Sequence, residues 1–158
     1  MKLFTLLMGV GAFAVLLTGC GKEPSRWDQA ATQTVSAAAA PKVEGAKLNA
    51  FFPADGTDGM SRVFSQEKDG FVEAKLKKDG QDVATLSISD ASADEGVKSK
   101  FASASDKVGD HPLVTVGKNQ SAVLVANKYQ VKVSSQTLDP DARKALLSKF
   151  DLAGLSKP

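Results

Sequence analysis

Apolar and polar residues alternate over three consecutive stretches, 60–66, 71–77 and 81–89, with the period of two expected of half-buried strands. Lys68-Asp69-Gly70 and Lys78-Asp79-Gly80 separate them, and the repeated Lys-Asp-Gly predicts three-residue hairpin loops with glycine in the left-handed position. That loop length pairs Phe64 with Ala74, Gln66 with Val72, Ala74 with Ala84, and Val72 with Leu86. One face of the meander then collects Phe64, Val72, Ala74, Leu76, Ala84, Leu86 and Ile88. The other collects Glu73, Lys75, Lys77, Thr85, Ser87 and Ser89. A slip of one residue would exchange the two sets.

Helical spacing appears in three places. Leu48, Phe51 and Phe52 share a helical face that Pro53 stops. Ser92-Ala93-Asp94-Glu95 has the form of a capping box, and Val97, Phe101, Ala104 and Val108 follow on one stripe before Gly109 and Pro112. Asp139-Pro140 predicts an N-cap and first turn for a helix carrying Ala142, Ala145, Leu146 and Phe150 and ending near Gly154. Between the last two helices lie strand-like runs at 113–116, 121–126 and 129–134. A two-residue Asn127-Lys128 turn would set Ala126 opposite Tyr129, Leu124 opposite Val131 and Ala122 opposite Val133. The predicted fold is α+β in the order α-βββ-α-βββ-α, an antiparallel sheet made of two three-stranded meanders with helices packed on one face. The order has the form of a diverged structural duplication.

That register leaves Val123 and Val125 pointing away from the core, beside Gln130 and Lys132. Two readings follow. Either the strand is covered on both faces, by the C-terminal helix for example, or the valines form an apolar patch that meets a partner.

The first forty residues have a different character. Lys2 precedes an uncharged, largely apolar run from Leu3 to Leu17, the layout of an export signal. As a helix it would reach only about 22 Å, short of a hydrocarbon core of roughly 30 Å. Leu17-Thr18-Gly19-Cys20 then resembles the lipobox of bacterial lipoprotein precursors. The resemblance implies cleavage between Gly19 and Cys20, a diacylglyceryl group on the Cys20 sulfur and an acyl chain, typically palmitate, on the new amino group. Two or more chains give stable membrane attachment where one gives only marginal binding. Gly21 after the cysteine, rather than Asp, goes with the outer membrane facing the periplasm if the source is Gram-negative. Residues 21–41, rich in Ala, Ser, Thr and Gln, read as a tether spanning roughly 25 Å as a coil. Trp27, the only tryptophan, sits within it, either resting on the headgroups or the domain, or anchoring a partner. The expected organisation is a signal peptide over 1–19, lipidated Cys20 and tether over 20–41, and one α+β domain over 42–158. The closing segment is also similar to the C-terminal pattern of small secreted bacterial proteins, a likeness that brings no activity with it.

Composition narrows the chemistry. Twenty Lys and Arg against eighteen Asp and Glu leave a charge of only +2, and aromatics are 6%, so neither a basic patch nor a stacking platform for nucleic acid is expected. One Cys and one His exclude a disulfide framework and a Cys/His zinc site. Asp55 and Asp58 fall in a Gly-rich turn that lacks the calcium-loop pattern, because Gln66 stands where the twelfth-position Glu should be. His111, the only imidazole, lies in a Gly-Asp-His-Pro loop with no G-x-S-x-G elbow elsewhere to supply a nucleophile. Ser65-Gln66-Glu67-Lys68 matches S-x-x-K, yet it runs along a strand rather than opening a helix. No phosphate-cradling glycine loop occurs. No catalytic residue, metal or cofactor is therefore expected. The sequence reads as a non-enzymatic binding or accessory module on a membrane anchor, serving an envelope protein partner. The alternative is a small hydrolase or ligand-binding lipoprotein acting on an envelope component.

Overall fold

Seven antiparallel strands form one sheet in the order β1-β2-β3-β7-β6-β5-β4 in the computed structural model, which describes residues 42–157. The strands are β1 (Ser61–Lys68), β2 (Phe71–Lys78), β3 (Gln81–Asp90), β4 (Asp106–Val108), β5 (His111–Val116), β6 (Gln120–Val125) and β7 (Tyr129–Ser134). Helices α1 (Gly45–Leu48), α2 (Glu95–Phe101), α3 (Pro140–Leu147) and α4 (Leu152–Leu155) surround it. The α+β class and the two meanders hold. The second meander gains a short fourth strand, β4, because Val108 pairs with His111 across a tight turn in which Gly109 takes φ +58°.

The first meander buries the face its alternation requires. Val72, Ala74, Leu76, Ala84, Leu86 and Ile88 are all buried, and Phe64 packs against them. The turns differ from the expected three-residue loops. Lys68 pairs with Phe71 and Lys78 with Gln81, leaving two-residue Asp-Gly turns. Asp79 and Gly80 both adopt positive φ, +51° and +78°, the geometry whose twist suits a two-residue hairpin. The bulges sit inside the strands instead, at Ser65 and Val83. Phe64 therefore pairs with Ala74 as expected, while Val72 pairs with Glu67 and Ile88, and Ala74 with Leu86.

In the second meander the turn is one residue longer than predicted. Val125 pairs with Tyr129, Leu124 with Gln130 and Val123 with Val131, around a loop in which Ala126 and Asn127 both take positive φ. This shift turns Val123 and Val125 into the main core beside Tyr129, Val131 and Val133, with no exposed surface. They are not a partner surface. Ala122 and Leu124 take the opposite face, where α2 covers them with Phe101. β6 is thus apolar on both faces because both are covered.

The helices divide accordingly. α1, α3 and α4 contribute Leu48, Leu146, Leu147, Leu152 and Leu155 to the main core. Helix α2, expected on that same face, lies on the other, since its Phe101 and Val97 pack with Ala122, Leu124 and Val114. Asp94, not Ser92, caps α2, with its Oδ1 accepting from Val97 N at 2.9 Å. The predicted stripe ends at Phe101, and Ala104 and Val108 fall outside the helix. The single C-terminal helix is interrupted: Asp139 caps α3 as expected, and Asp151 caps α4 by accepting from Gly154 N at 2.7 Å.

Candidate functional site

The second face of the sheet is the part of the domain that helices leave incompletely covered. Helix α2 lies over β5 and β6, while the face formed by β1, β2, β3 and β7 carries no helix among the described residues. Two concavities differ sharply in chemistry.

The first is an apolar groove of about 500 Å³ between α2 and the sheet. Phe101, Ala102, Pro112 and Leu124 line it, with Glu95, Lys98 and Asn127 at the rim. Local sequence positions each wall: the Asp94 cap starts α2 so that Phe101 points at the sheet, and β6 alternation turns Leu124 toward it. Lys98 Nζ donates to Glu95 Oε1 at 2.7 Å and to the Ser92 carbonyl at 2.6 Å, so the rim carries no free cation there.

The second is a polar recess of about 440 Å³ at the end of the sheet where β3, β6 and β7 meet. Thr85, Ser134 and Gln120 form a cross-strand row on its floor, each opposite in pleat to a core residue. Ser135 orders the wall: its buried Oγ donates to the Val83 carbonyl at 2.6 Å and accepts from Thr137 N and Leu138 N at 3.2 and 3.0 Å. Behind it, Arg143 of α3 is fully buried. It donates through Nε to Ser121 Oγ at 3.1 Å and through Nη1 to the Leu138 carbonyl at 2.5 Å, while Nη2 has no partner. At the open side Asp82 binds both Lys75 and Lys77, at 2.8 and 2.6 Å. Hydrogen bonds from these two lysines push the Asp82 carboxyl down to about 2, and Lys75 is raised in return. Lys75 and Lys77 are therefore tied to a carboxylate rather than free to hold an anion.

The residues weighed from the sequence do not converge. His111 opens β5, half-buried and paired with Val108, and it lines neither concavity. Ser65 Oγ donates to Glu73 Oε1 at 2.8 Å while Lys68 lies over the Phe71 ring, which separates the two ends of the S-x-x-K match. Asp55 accepts from Arg62 N at 2.7 Å and Asp58 pairs with Lys149, so both acids of the Gly-rich turn have protein partners. Among the described residues no group of three His, Cys, Asp or Glu could hold a metal ion, and no helix is long and apolar enough to cross a membrane. Gly19, Cys20 and Trp27 lie outside the described residues. The polar recess itself is absent from any local motif. Its floor residues come from three strands, and the β3–β7 and β6–β7 pairings unite them.

No protein-family model matches the chain, and no curated protein or solved structure shows significant similarity to it. What the fold and its surfaces define is a seven-stranded antiparallel α+β domain with one sheet face partly open.

Proposed function

We propose that the protein is exported, lipidated at Cys20 and held at a membrane surface, where its domain acts as a non-enzymatic binding module for an envelope protein partner. The anchor rests on Leu17-Thr18-Gly19-Cys20. The binding role rests on one observation, the apolar groove between α2 and β5–β6. Clustered accessible apolar groups on a soluble domain commonly mark an interaction site. With Lys98 neutralised by Glu95, the groove suits an uncharged segment presenting one or two apolar side chains. The alternative ligand-binding reading draws support from the polar recess, a separate site.

Two measurements test the two halves. Cys20→Ser abolishes membrane association while leaving the domain folded; protein of this variant that still floats with membranes would overturn the anchor. For the groove, a photo-crosslinker at exposed Ala102 gives one discrete adduct in intact cells, and the same group at Gly80 gives none. Adducts that are absent from Ala102, or identical at both positions, would overturn the binding role.

A further inference from the structure

The polar recess presents side-chain groups that the fold leaves unused. Asn119, Gln120 and Gln136 line it, and their amides make no side-chain hydrogen bond to another described residue. Thr85 and Ser134 add hydroxyls from the floor. Amides and hydroxyls both donate and accept, so the set matches a ligand whose own groups do both. The one charged lining group, Asp82, already binds Lys75 and Lys77, which removes the usual reason for an ion of either sign to settle there.

The position of the recess narrows the ligand further. It lies over β3, β7 and β6, central strands whose main chains are paired on both sides, so an extended peptide cannot add itself to the sheet there. A free edge is needed for that mode. The volume of about 440 Å³ lies within the range of small-ligand sites. The wall is also built rather than incidental, since buried Ser135 fixes the β7–α3 connection through three hydrogen bonds.

From these features we infer that the recess is a binding subsite for an uncharged polyhydroxylated ligand, a glycan segment bearing hydroxyl and acetamido groups, contacted by the amides of Asn119, Gln120 and Gln136. The inference rests on the recess alone and stands independently of the groove and of the anchor. No aromatic ring lines the recess to stack on a sugar face, so binding is weak, with a dissociation constant on the order of 1 mM.

The test follows the backbone amide signals of the full chain, isotope-labelled and held in a sugar-free detergent, during titration with tri-N-acetylchitotriose. Saturable shifts are expected at residues 119–120 and 134–137. Asn119→Ala and Gln136→Ala, both at exposed positions, should each weaken the binding about three- to tenfold, the effect of one lost hydrogen bond. Inorganic phosphate and trialanine serve as the anionic and peptide probes, and neither should shift these signals. The inference is overturned if tri-N-acetylchitotriose leaves the signals in place, if either control probe shifts them saturably, or if both alanine variants bind the glycan as well as the parent chain.

Discussion

At the scale of single residues, the most unusual group is Arg143. A guanidinium with no exposed surface normally faces a carboxylate, yet this one is held by a serine hydroxyl and a main-chain carbonyl. Its aliphatic stem fills space under α3 while its head ties the helix to β6 and to the segment before it. Arg143→Ala would leave Ser121 Oγ and the Leu138 carbonyl unpaired in the interior, at about 1–3 kcal/mol each, and would add a cavity. A denaturant titration should show that loss; a midpoint within experimental scatter of the parent would contradict it. Asp82 offers a contrasting case at the surface. Its carboxyl titrates near 3.8 in the unfolded chain and near 2 when folded, so the unfolded state binds more protons between those values. The stability it contributes is complete above about pH 4 and disappears as pH falls through 2. Because the site is exposed, the effect is small. Urea midpoints of the parent and Asp82→Asn should differ at pH 5 and draw together as pH falls through 2.

At the scale of elements, turn chemistry decides what local patterns can reveal. The first meander was legible because Asp-Gly turns and strict alternation agree, and bulges at Ser65 and Val83 altered the pairing without exchanging the faces. The second departs from its local pattern at a single residue. Ala126 adopts φ +50°, a conformation that costs a residue with a Cβ roughly 1–2 kcal/mol, so Asn127-Lys128 alone looked like the turn. A turn shorter by Ala126 would put Val123 and Val125 on the opposite face. The same strain yields a prediction: Ala126→Gly should stabilise the domain by up to about 1 kcal/mol, the relieved strain exceeding the added chain entropy. A lower melting temperature for this variant would show that the strain is absent. The face taken by α2 was beyond local reading, because a short amphipathic helix fits either side of a strand that is apolar on both. The recess was hidden for a related reason, its floor being created by a long-range strand pairing.

At the scale of the whole molecule, the two meanders join through β3 and β7, where Leu86 pairs with Val133 and Ile88 with Val131 in the main core. The sheet is therefore one cooperative unit despite its repeated order. Its long outer edge is guarded: Asp55 takes the Arg62 N–H, and Gly45 of α1 sits so close to Lys68 that a Cβ would come within 2.8 Å of that residue's carbonyl oxygen. The start and end of the domain meet as well. Asp151 N donates to the Phe51 carbonyl at 3.0 Å, and the Phe52 and Phe150 rings lie 5.3 Å apart. Helix α4 then seals this junction by burying Leu152 and Leu155. Ending the chain at Phe150 removes both leucines and the Asp151 bond, a loss of about 3–6 kcal/mol from apolar burial alone. That is comparable with the whole stability of a domain of this size, so the shortened chain should unfold globally rather than fray. Amide exchange distinguishes the two outcomes: protection should fall in β3 and β7 as much as in α3. Loss confined to the residues near Phe51 and Phe150 would mean that α4 is an independent latch and that the sheet stands without it.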